Sequence, residues 1–346
     1  MTHSPCPEAL FSIVAVVAAL ATTGCGHADG TPVSLPAASP GIGFDDLGFA
    51  KSLLGGRVLV PGGRSGLLDL VDPDTMAVVA IGGFSASSDY DGGHDDGPTS
   101  ADAGGGYVFV TDRTTRSVSA VDPGKGQIVA TLPLGATPDY VRWVEATGEL
   151  WITEPGAERI EIIAFTAGDP PKLAGKGVVP IAGGPESLVV DQQRGRAYTH
   201  EWDGRTLAVD VKSRGVLWRA DNGCRDSRGI AVDAQRGIVF AACAEGLVTA
   251  MSANAGNELG DLAEGSGVDV VGYSATLAHL YVAGGRSATL GVVGVSRTGT
   301  LTLLGDLETA DGARCATADD RGHAWVCDPE QGRLLRFDDP FPQSGL

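Results

Sequence analysis

A short apolar pattern recurs along the chain at nearly constant intervals. Each copy has the two-residue periodicity of a β-strand and ends in turn residues. The copies are RVLVPGG (57–63), YVFVTDR (107–113), ELWITEP (149–155), RAYTHEW (196–202), IVFAACA (238–244), HLYVAGG (279–285) and HAWVCDP (323–329). Their central residues, from Leu59 to Trp325, are separated by 50, 42, 47, 42, 41 and 44 residues. Repeats of this length are typical of β-propellers, so the pattern predicts an all-β fold with seven blades.

The runs around each copy predict four strands per blade. One apolar run, such as ESLVVD, precedes the copy across a short loop, and two others follow it, such as TLAVD and GVLWRA. The last copy is followed only by LLRF before the chain ends. We therefore expect a propeller over residues 41 to 342 whose last blade is completed by an N-terminal strand within residues 31 to 38, which would remove an exposed sheet edge.

The N-terminus has the pattern of an export signal. Residues 10 to 21 (LFSIVAVVAALA) form an apolar run too short to span a bilayer, and small residues follow it. This predicts a signal peptide over residues 1 to 24 and a tether over residues 25 to 40. ATTGC resembles a lipobox with Thr22 in the usual place of Leu, so Cys25 is a candidate for lipidation. Ordinary signal cleavage and a misassigned start are the alternatives.

One repeat carries a family resemblance. The run FVTD (109–112), followed by SVSAVDPGKGQIVATLPLGATPD, resembles the YVTN-type repeat propellers of bacterial cell envelopes, and weaker copies cover residues 44 to 337. The resemblance implies a binding or surface protein with no agreed reaction. It also implies export, to the periplasm or to the outer membrane and cell surface as a lipoprotein. WD40 and kelch signatures are absent from the sequence.

The charge of the chain argues against nucleic acid as a partner. The formal charge is −18, and removal of residues 1 to 24 takes away one acidic residue, Glu8, and no basic one, which leaves −17. Phosphate backbones are repelled by such a field. We expect a monomer whose contact with a membrane is limited to the possible lipid anchor.

Four cysteines are predicted to form two disulfides. Strands flanking a turn near Arg321 pair residues whose numbers sum to about 642, and this places Cys315 opposite Cys327. Cys224 and Cys243 bracket the equivalent hairpin two blades earlier, although Cys224 lies in the loop before the strand. Exported proteins keep such pairs oxidised. A metal site is disfavoured because the sequence has no CxxC.

The start of each innermost strand lines the mouth of a propeller's central channel. Alignment of TPDY, GPES, DSRG, GVDV and GARC puts one charged residue at this position in each of five blades, with Thr99 in the second blade. The charged residues are Asp139, Glu186, Arg228, Asp269 and Arg314. This ring is either a set of salt bridges that satisfies the mouth or a socket for a charged ligand.

Loops on the same face supply further candidates. Two GGRS loops place Arg64 and Arg286 at matching positions in blades 1 and 6. His200 stands beside Glu201, an arrangement that suits general base chemistry. Adjacent residues on a strand point in opposite directions, so a polar loop start is the competing interpretation.

An acidic insertion accounts for the 50-residue interval. Residues 87 to 102 (SSDYDGGHDDGPTSAD) contain Asp89, Asp91, Asp95 and Asp96, which are candidate Ca²⁺ ligands. Gly93, His94 and Ser100 depart from an EF-hand pattern that starts at Asp89. We therefore favour a solvated loop and expect no cofactor, with Ca²⁺ as the alternative. If the loop folds over the top face, His94 would approach His200.

These features favour a non-enzymatic, exported propeller that binds an envelope protein or a small polar ligand through its top face. The alternative is a metal-dependent hydrolase resembling the lactonases, or a lyase, with its site at the channel mouth. The arginines of the predicted ring weigh against a bound cation. A quinone-dependent dehydrogenase is disfavoured because the blades lack that family's repeated tryptophan motif.

Overall fold

A computed structural model of the protein describes residues 30 to 344. Its strands form seven antiparallel sheets of four strands each, which confirms the predicted propeller. Blade 1 consists of β2 (Gly48–Ala50), β3 (Arg57–Pro61), β4 (Leu68–Val71) and β5 (Val78–Ile81). Blade 2 consists of β6 (Pro98–Gly104), β7 (Tyr107–Asp112), β8 (Ser117–Asp122) and β9 (Gln127–Pro133). Blade 3 consists of β10 (Val141–Val144), β11 (Glu149–Glu154), β12 (Arg159–Thr166) and β13 (Lys172–Pro180).

The remaining blades repeat this order from the channel outward. Blade 4 consists of β14 (Glu186–Asp191), β15 (Arg196–Glu201), β16 (Arg205–Asp210) and β17 (Val216–Asp221). Blade 5 consists of β18 (Ser227–Asp233), β19 (Ile238–Cys243), β20 (Leu247–Ser252) and β21 (Glu258–Ala263). Blade 6 consists of β22 (Val271–Ser274), β23 (His279–Gly284), β24 (Thr289–Val295) and β25 (Leu301–Glu308). Blade 7 consists of β26 (Ala316–Ala318), β27 (His323–Asp328), β28 (Arg333–Asp338) and the N-terminal β1 (Thr31–Ser34).

The N-terminal strand closes the last blade as predicted. β1 pairs with β28 in antiparallel register from Thr31 opposite Arg336 to Ser34 opposite Arg333. The predicted tether therefore includes a strand of the propeller. The expected signal peptide and Cys25 lie outside the described residues. Between residues 30 and 344, none of the helices is long or apolar enough to cross a membrane.

The repeated turn between the first two strands of a blade has a local explanation. In blade 4, Asp191 Oδ1 accepts the N–H groups of Gln193 and Arg194. Gly195 then takes a φ of 62°, a conformation that costs a residue with a Cβ more than it costs glycine. Such Asp and Gly residues convert each QQRG-like segment into a tight turn.

The core lies between neighbouring blades. The seven central residues of the repeated pattern are each at most 1% exposed, including the large side chains of Trp151 and Trp325. They occupy the second strand of every blade, where both faces of the sheet are covered by adjacent blades. The repeated sequence pattern therefore marks the second strand of each blade, where side chains are most buried.

Two disulfides join strands at the same end of the propeller. Cys315, just before β26, is bonded to Cys327 in β27, and the two Cα atoms are 5.6 Å apart. Ala316 faces Val326, which matches the predicted register. Cys224, in the loop before β18, is bonded to Cys243 at the end of β19. Both bonds hold the segments that lead into innermost strands.

Candidate functional site

The predicted ring forms at the mouth of the channel. Asp139, Glu186, Arg228, Asp269 and Arg314 each lie within two residues of the start of an innermost strand. Ion pairs run from one blade to the next, because Arg228 of blade 5 contacts Glu186 of blade 4 and Arg314 of blade 7 contacts Asp269 of blade 6. Blade 1 contributes Asp45, three residues before β2.

Arg113 holds one side of the ring. It follows β7 and is largely buried, with 13% of its side chain exposed. Its Nη2 atom lies 3.2 Å from Asp45 Oδ2 and also contacts Asp139 Oδ1. Its Nη1 atom lies 3.3 Å from Asp95 Oδ1 and donates to the carbonyl oxygen of His94. The Arg113 guanidinium thus forms ion pairs with three carboxylates.

Arg228 organises the neighbouring part of the mouth. Its Nη1 atom lies 3.4 Å from Glu186 Oε1, and its Nη2 atom lies 3.1 Å from Asp226 Oδ1. Trp202 donates from Nε1 to Glu186 Oε2 at 2.9 Å, and 39% of this tryptophan is exposed. An aromatic face therefore lies in solvent beside a guanidinium and two carboxylates.

Arg314 joins the opposite side of the mouth to the insertion. Its Nε atom lies 3.3 Å from Asp269 Oδ2, and its Nη2 atom lies 2.7 Å from His94 Nδ1. A guanidinium can only donate, so His94 Nδ1 accepts this hydrogen bond. The imidazole therefore directs a nitrogen lone pair toward the channel mouth.

Burial and, after it, the charges of neighbouring groups shift the pKa values of the carboxylates in this network. Burial, and then the charge of Asp45, raises the pKa of Asp139 and of Asp269. Burial raises the pKa of Glu186 to about 7, and Asp269 and Asp45 add to the shift. Burial also opposes ionisation of Asp45, but the nearby groups His94, Arg113 and Arg314, in that order, outweigh it and lower its pKa. The mouth is a site of unbalanced negative charge.

Two connected cavities lie above the ring. One has a volume of about 570 Å³ and is lined by Arg113, Asp139 and Trp202. The other has a volume of about 460 Å³ and is lined by Arg286, Asp311 and Arg314. His94, Arg228 and Asp269 border both. Together they form one polar basin, large enough for a small ligand or a protruding peptide segment.

The insertion folds over the top face and brings His94 to the mouth, but not to His200. The predicted Ca²⁺ ligands do not converge. Asp91 Oδ1 accepts the N–H group of Gly93, Asp89 Oδ1 accepts from Ser88 Oγ, and Asp95 pairs with Arg113. Within residues 30 to 344, the one group of His, Cys, Asp and Glu side chains close enough to share a metal ion is Asp45, His94 and Asp269.

His200 is not at the mouth, which corrects its predicted place there. Its ring is fully buried between blades, with Nε2 3.1 Å from Gly229 O and Nδ1 3.0 Å from Thr206 Oγ1. Burial lowers the pKa of His200 to about 4. Glu201 points elsewhere and pairs with Arg219. The opposite directions of adjacent strand residues separate the two side chains.

The two GGRS arginines have different roles. Arg64 is 8% exposed and donates to the carbonyl oxygens of Gly41, Ser87 and Ala37, so it ties the N-terminal segment and the insertion to blade 1. That corrects its predicted place among ligand-binding residues. Arg286 is exposed and lines the basin as expected.

Sequence alignment of the mouth missed Asp45 and Trp202. Asp45 had a usable signal, because extension of the aligned position to blade 1 reaches FDDL (44–47). Trp202 follows the fourth repeat directly, but its exposure depends on how the loop after β15 turns. Arg113 stands at the end of YVFVTDR, where its contacts depend on three separate loops.

Comparison with known proteins confirms the fold and goes no further. No family model and no curated protein matches the chain. A chain in the crystal structure of the mitotic checkpoint complex is similar over 96% of this chain and 98% of that one, with a TM-score of 0.72 and 13% identity.

Two further structures show the same architecture. The β-propeller domain of Cps50 (Swd1) from Myceliophteria thermophila has a TM-score of 0.70 at 12% identity, covering 89% of this chain and 99% of that one. A chain of hydrazine synthase from Kuenenia stuttgartiensis has a TM-score of 0.64 at 11% identity, and the match covers 89% of this chain and 98% of that one. Identities this low establish the propeller fold alone.

Proposed function

We propose that the protein is an exported, non-enzymatic scaffold of the bacterial cell envelope that binds an envelope protein or a small polar ligand in the basin at its channel mouth. The observation that carries the proposal is the exposed indole of Trp202 beside Arg228 and Glu186. Tryptophan and arginine residues are enriched among those that dominate binding energy at interfaces. The closed ring of blades gives these side chains a rigid support.

Site-specific photocrosslinking tests the binding role. A benzophenone amino acid replaces Trp202 at the basin or, as a matched control, Lys51, which is highly exposed at the opposite end of the channel. In intact cells, we expect a discrete adduct from position 202 that Arg228→Ala abolishes, and none from position 51. Native mass spectra of the purified protein would reveal a small ligand instead. Equal labelling at both ends, with no retained ligand, would contradict the proposal.

Export is supported by the apolar N-terminal run, by the envelope propellers that the repeats resemble, and weakly by the two disulfides. Cell fractionation with labelled palmitate tests it. We expect membrane-associated, palmitate-labelled protein from the unchanged sequence and unlabelled protein from Cys25→Ser. Recovery of both forms in the cytoplasm would contradict export.

One observation favours the second candidate, a metal-dependent hydrolase or lyase. Asp45, His94 and Asp269 combine donors that bind divalent cations, and they border the basin. Carbonyl polarisation by a metal could serve lactone hydrolysis. Assays of lactone opening with added Zn²⁺, Mn²⁺ or Ca²⁺ test this role. Metal-dependent turnover that Asp269→Asn removes would favour the enzyme over the scaffold.

A further inference from the structure

Three donor groups from distant parts of the chain meet at the channel mouth. Asp45 precedes blade 1, His94 belongs to the insertion before blade 2, and Asp269 precedes blade 6. Each offers one ligand atom, and these atoms all lie within 4.8 Å of one another. The insertion is what completes the group, because blades 1 and 6 provide only the two carboxylates.

The group contains one buried oxygen atom that the described part of the protein leaves without a hydrogen bond. Asp45 is 4% exposed, and its buried Oδ2 accepts no hydrogen bond in the part of the chain that the structure describes. Arg113 Nη2 lies 3.2 Å from that oxygen without forming a hydrogen bond to it. Arg314 Nε is likewise buried without a hydrogen bond, although it is 3.3 Å from Asp269 Oδ2. Buried polar atoms normally find partners, so the unsatisfied Asp45 Oδ2, which as a carboxylate oxygen only accepts, indicates a missing cation or donor. Arg314 Nε only donates, so a metal ion would not satisfy it.

The charge of the network also indicates a missing cation. The three mouth arginines, Arg113, Arg228 and Arg314, form ion pairs with six carboxylates. The six are Asp45, Asp95, Asp139, Glu186, Asp226 and Asp269. A divalent cation would offset most of this excess and would do so where the carboxylates are most crowded.

We propose that Asp45, His94 and Asp269 bind one first-row divalent metal ion, such as Zn²⁺ or Mn²⁺, at the channel mouth. One imidazole nitrogen with two carboxylate oxygens suits these ions, with water completing the coordination. Ca²⁺ is disfavoured because it takes six to eight oxygen ligands. The site does not depend on the proposed partner binding, which is tested at Trp202 and Arg228.

Arg314 acts as the competing cation in this proposal. Its guanidinium lies against His94 Nδ1 and Asp269, two of the three metal ligands. The adjoining cavity of about 460 Å³, which Arg314 itself lines with Asp311, gives the side chain room to move aside. Metal binding would exchange a guanidinium contact for coordination, and it would link the insertion directly to blades 1 and 6.

Calorimetric titration of the EDTA-treated, purified protein with Zn²⁺ or Mn²⁺ alone tests the site. We expect one ion per chain, and a rise in melting temperature of about 4 °C at a free-metal concentration of 100 times Kd. Asp45→Asn, His94→Gln and Asp269→Asn should each weaken binding by at least about 100-fold. Asp226→Asn, which removes a basin carboxylate outside the group, should leave the affinity within a few-fold.

A variant that binds the metal more tightly than the unchanged protein cannot be explained by misfolding, which would weaken binding. Arg314→Gln removes the competing cation while keeping a polar side chain, so we expect it to tighten metal binding by about 10-fold. Absence of binding by both metals would overturn the proposal. So would equal weakening by Asp226→Asn and Asp269→Asn, because surface carboxylates would then account for the binding. A lower metal affinity in Arg314→Gln would overturn the competing role of that guanidinium.

Discussion

Two adjacent residues, Asp45 and Asp46, show how differently the two ends of the central channel are built. Asp46 faces the interior, where Arg142 donates to both of its oxygens at 2.6 and 3.0 Å and Ser100 Oγ adds a third hydrogen bond at 2.6 Å. Asp45 faces the mouth, where its Oδ2 atom is near Arg113 but accepts no hydrogen bond from residues 30 to 344. Asp46 is therefore fully hydrogen-bonded within a structural network, whereas Asp45 keeps an oxygen atom without a hydrogen bond.

The same contrast holds for the surroundings of each carboxylate. Arg142 lines a cavity of about 650 Å³ at the end away from the mouth, where Lys51 is the other cationic side chain and Asp319 and Asp320 are the carboxylates, so cations and carboxylates are equal in number. The mouth instead gathers carboxylates that raise one another's pKa. Cavity size therefore does not distinguish the candidate functional end, whereas the excess of carboxylates over arginines at the mouth does.

The largest effect should come from the satisfied pair. Arg142→Ala leaves Asp46 buried without its partner, and we expect it to lower the free energy of unfolding by about 3 to 5 kcal/mol in urea denaturation. Arg228→Ala at the mouth, whose side chain is 37% exposed, should cost less than about 1 kcal/mol. Equal losses of unfolding free energy in the two variants would contradict the view that the mouth is less important for stability than the Asp46 network.

Removal of a disulfide should act at the mouth and spare the other end. Cys315→Ser combined with Cys327→Ser opens a loop of 12 residues, and we expect a loss of about 3 kcal/mol. Hydrogen exchange should accelerate next to Arg314, which precedes Cys315, more than at Gly148 in the turn between β10 and β11, which lies away from the mouth. Faster exchange at Gly148 than beside Arg314 would contradict the expectation that the disulfide stabilises the mouth alone.

The burial of His200, which the sequence had placed at the mouth, can be tested through the pH dependence of stability. Burial lowers its pKa to about 4 from an unfolded value near 6.5, so the unfolded chain binds a proton first as pH falls. The free energy of unfolding should therefore decrease by up to about 3 kcal/mol between pH 6.5 and pH 4. In His200→Gln this pH-dependent decrease should be absent. NMR titration checks the premise, since titration of this ring near pH 6.5 would place it in solvent.

The propeller was predictable because burial repeats at a fixed position. The central residues from Leu59 to Trp325 are covered on both faces by neighbouring blades, so their spacing was visible without any long-range information. The register of Cys315 and Cys327 followed from a two-residue period across one turn. Closure by β1 followed from a strand missing at the C-terminus.

The mouth was only partly predictable because its members come from loops. Five ring residues could be aligned, since they lie at or within two residues of the start of regular strands. His94 reaches Arg314 across 220 residues of sequence, and no local pattern specifies that contact. His200 was misplaced because a strand end exposes one side chain and buries the next, and the sequence RAYTHEW does not show which.

An effect as small as that of His200 is expected from Glu186, the ring carboxylate beside Trp202. Burial raises its pKa to about 7 from an unfolded value near 4.5, so the folded protein keeps a proton that the unfolded chain has lost. This contribution is fully present below pH 4.5 and is lost as pH rises through 7. Glu186→Gln keeps the acceptor for Trp202 and cannot ionise.

We therefore expect Glu186→Gln to match the unchanged protein at pH 4 and to exceed its free energy of unfolding by up to about 3 kcal/mol at pH 8, measured by urea denaturation. Asp95→Asn is the matched control, because that carboxylate is almost fully exposed and also pairs with an arginine. A stabilisation that does not grow between pH 4 and pH 8 would show that burial and the neighbouring carboxylates do not raise the pKa of Glu186 in the folded protein. That result would remove the electrostatic reason for a cation there while leaving the satisfied Asp46 pair unaffected.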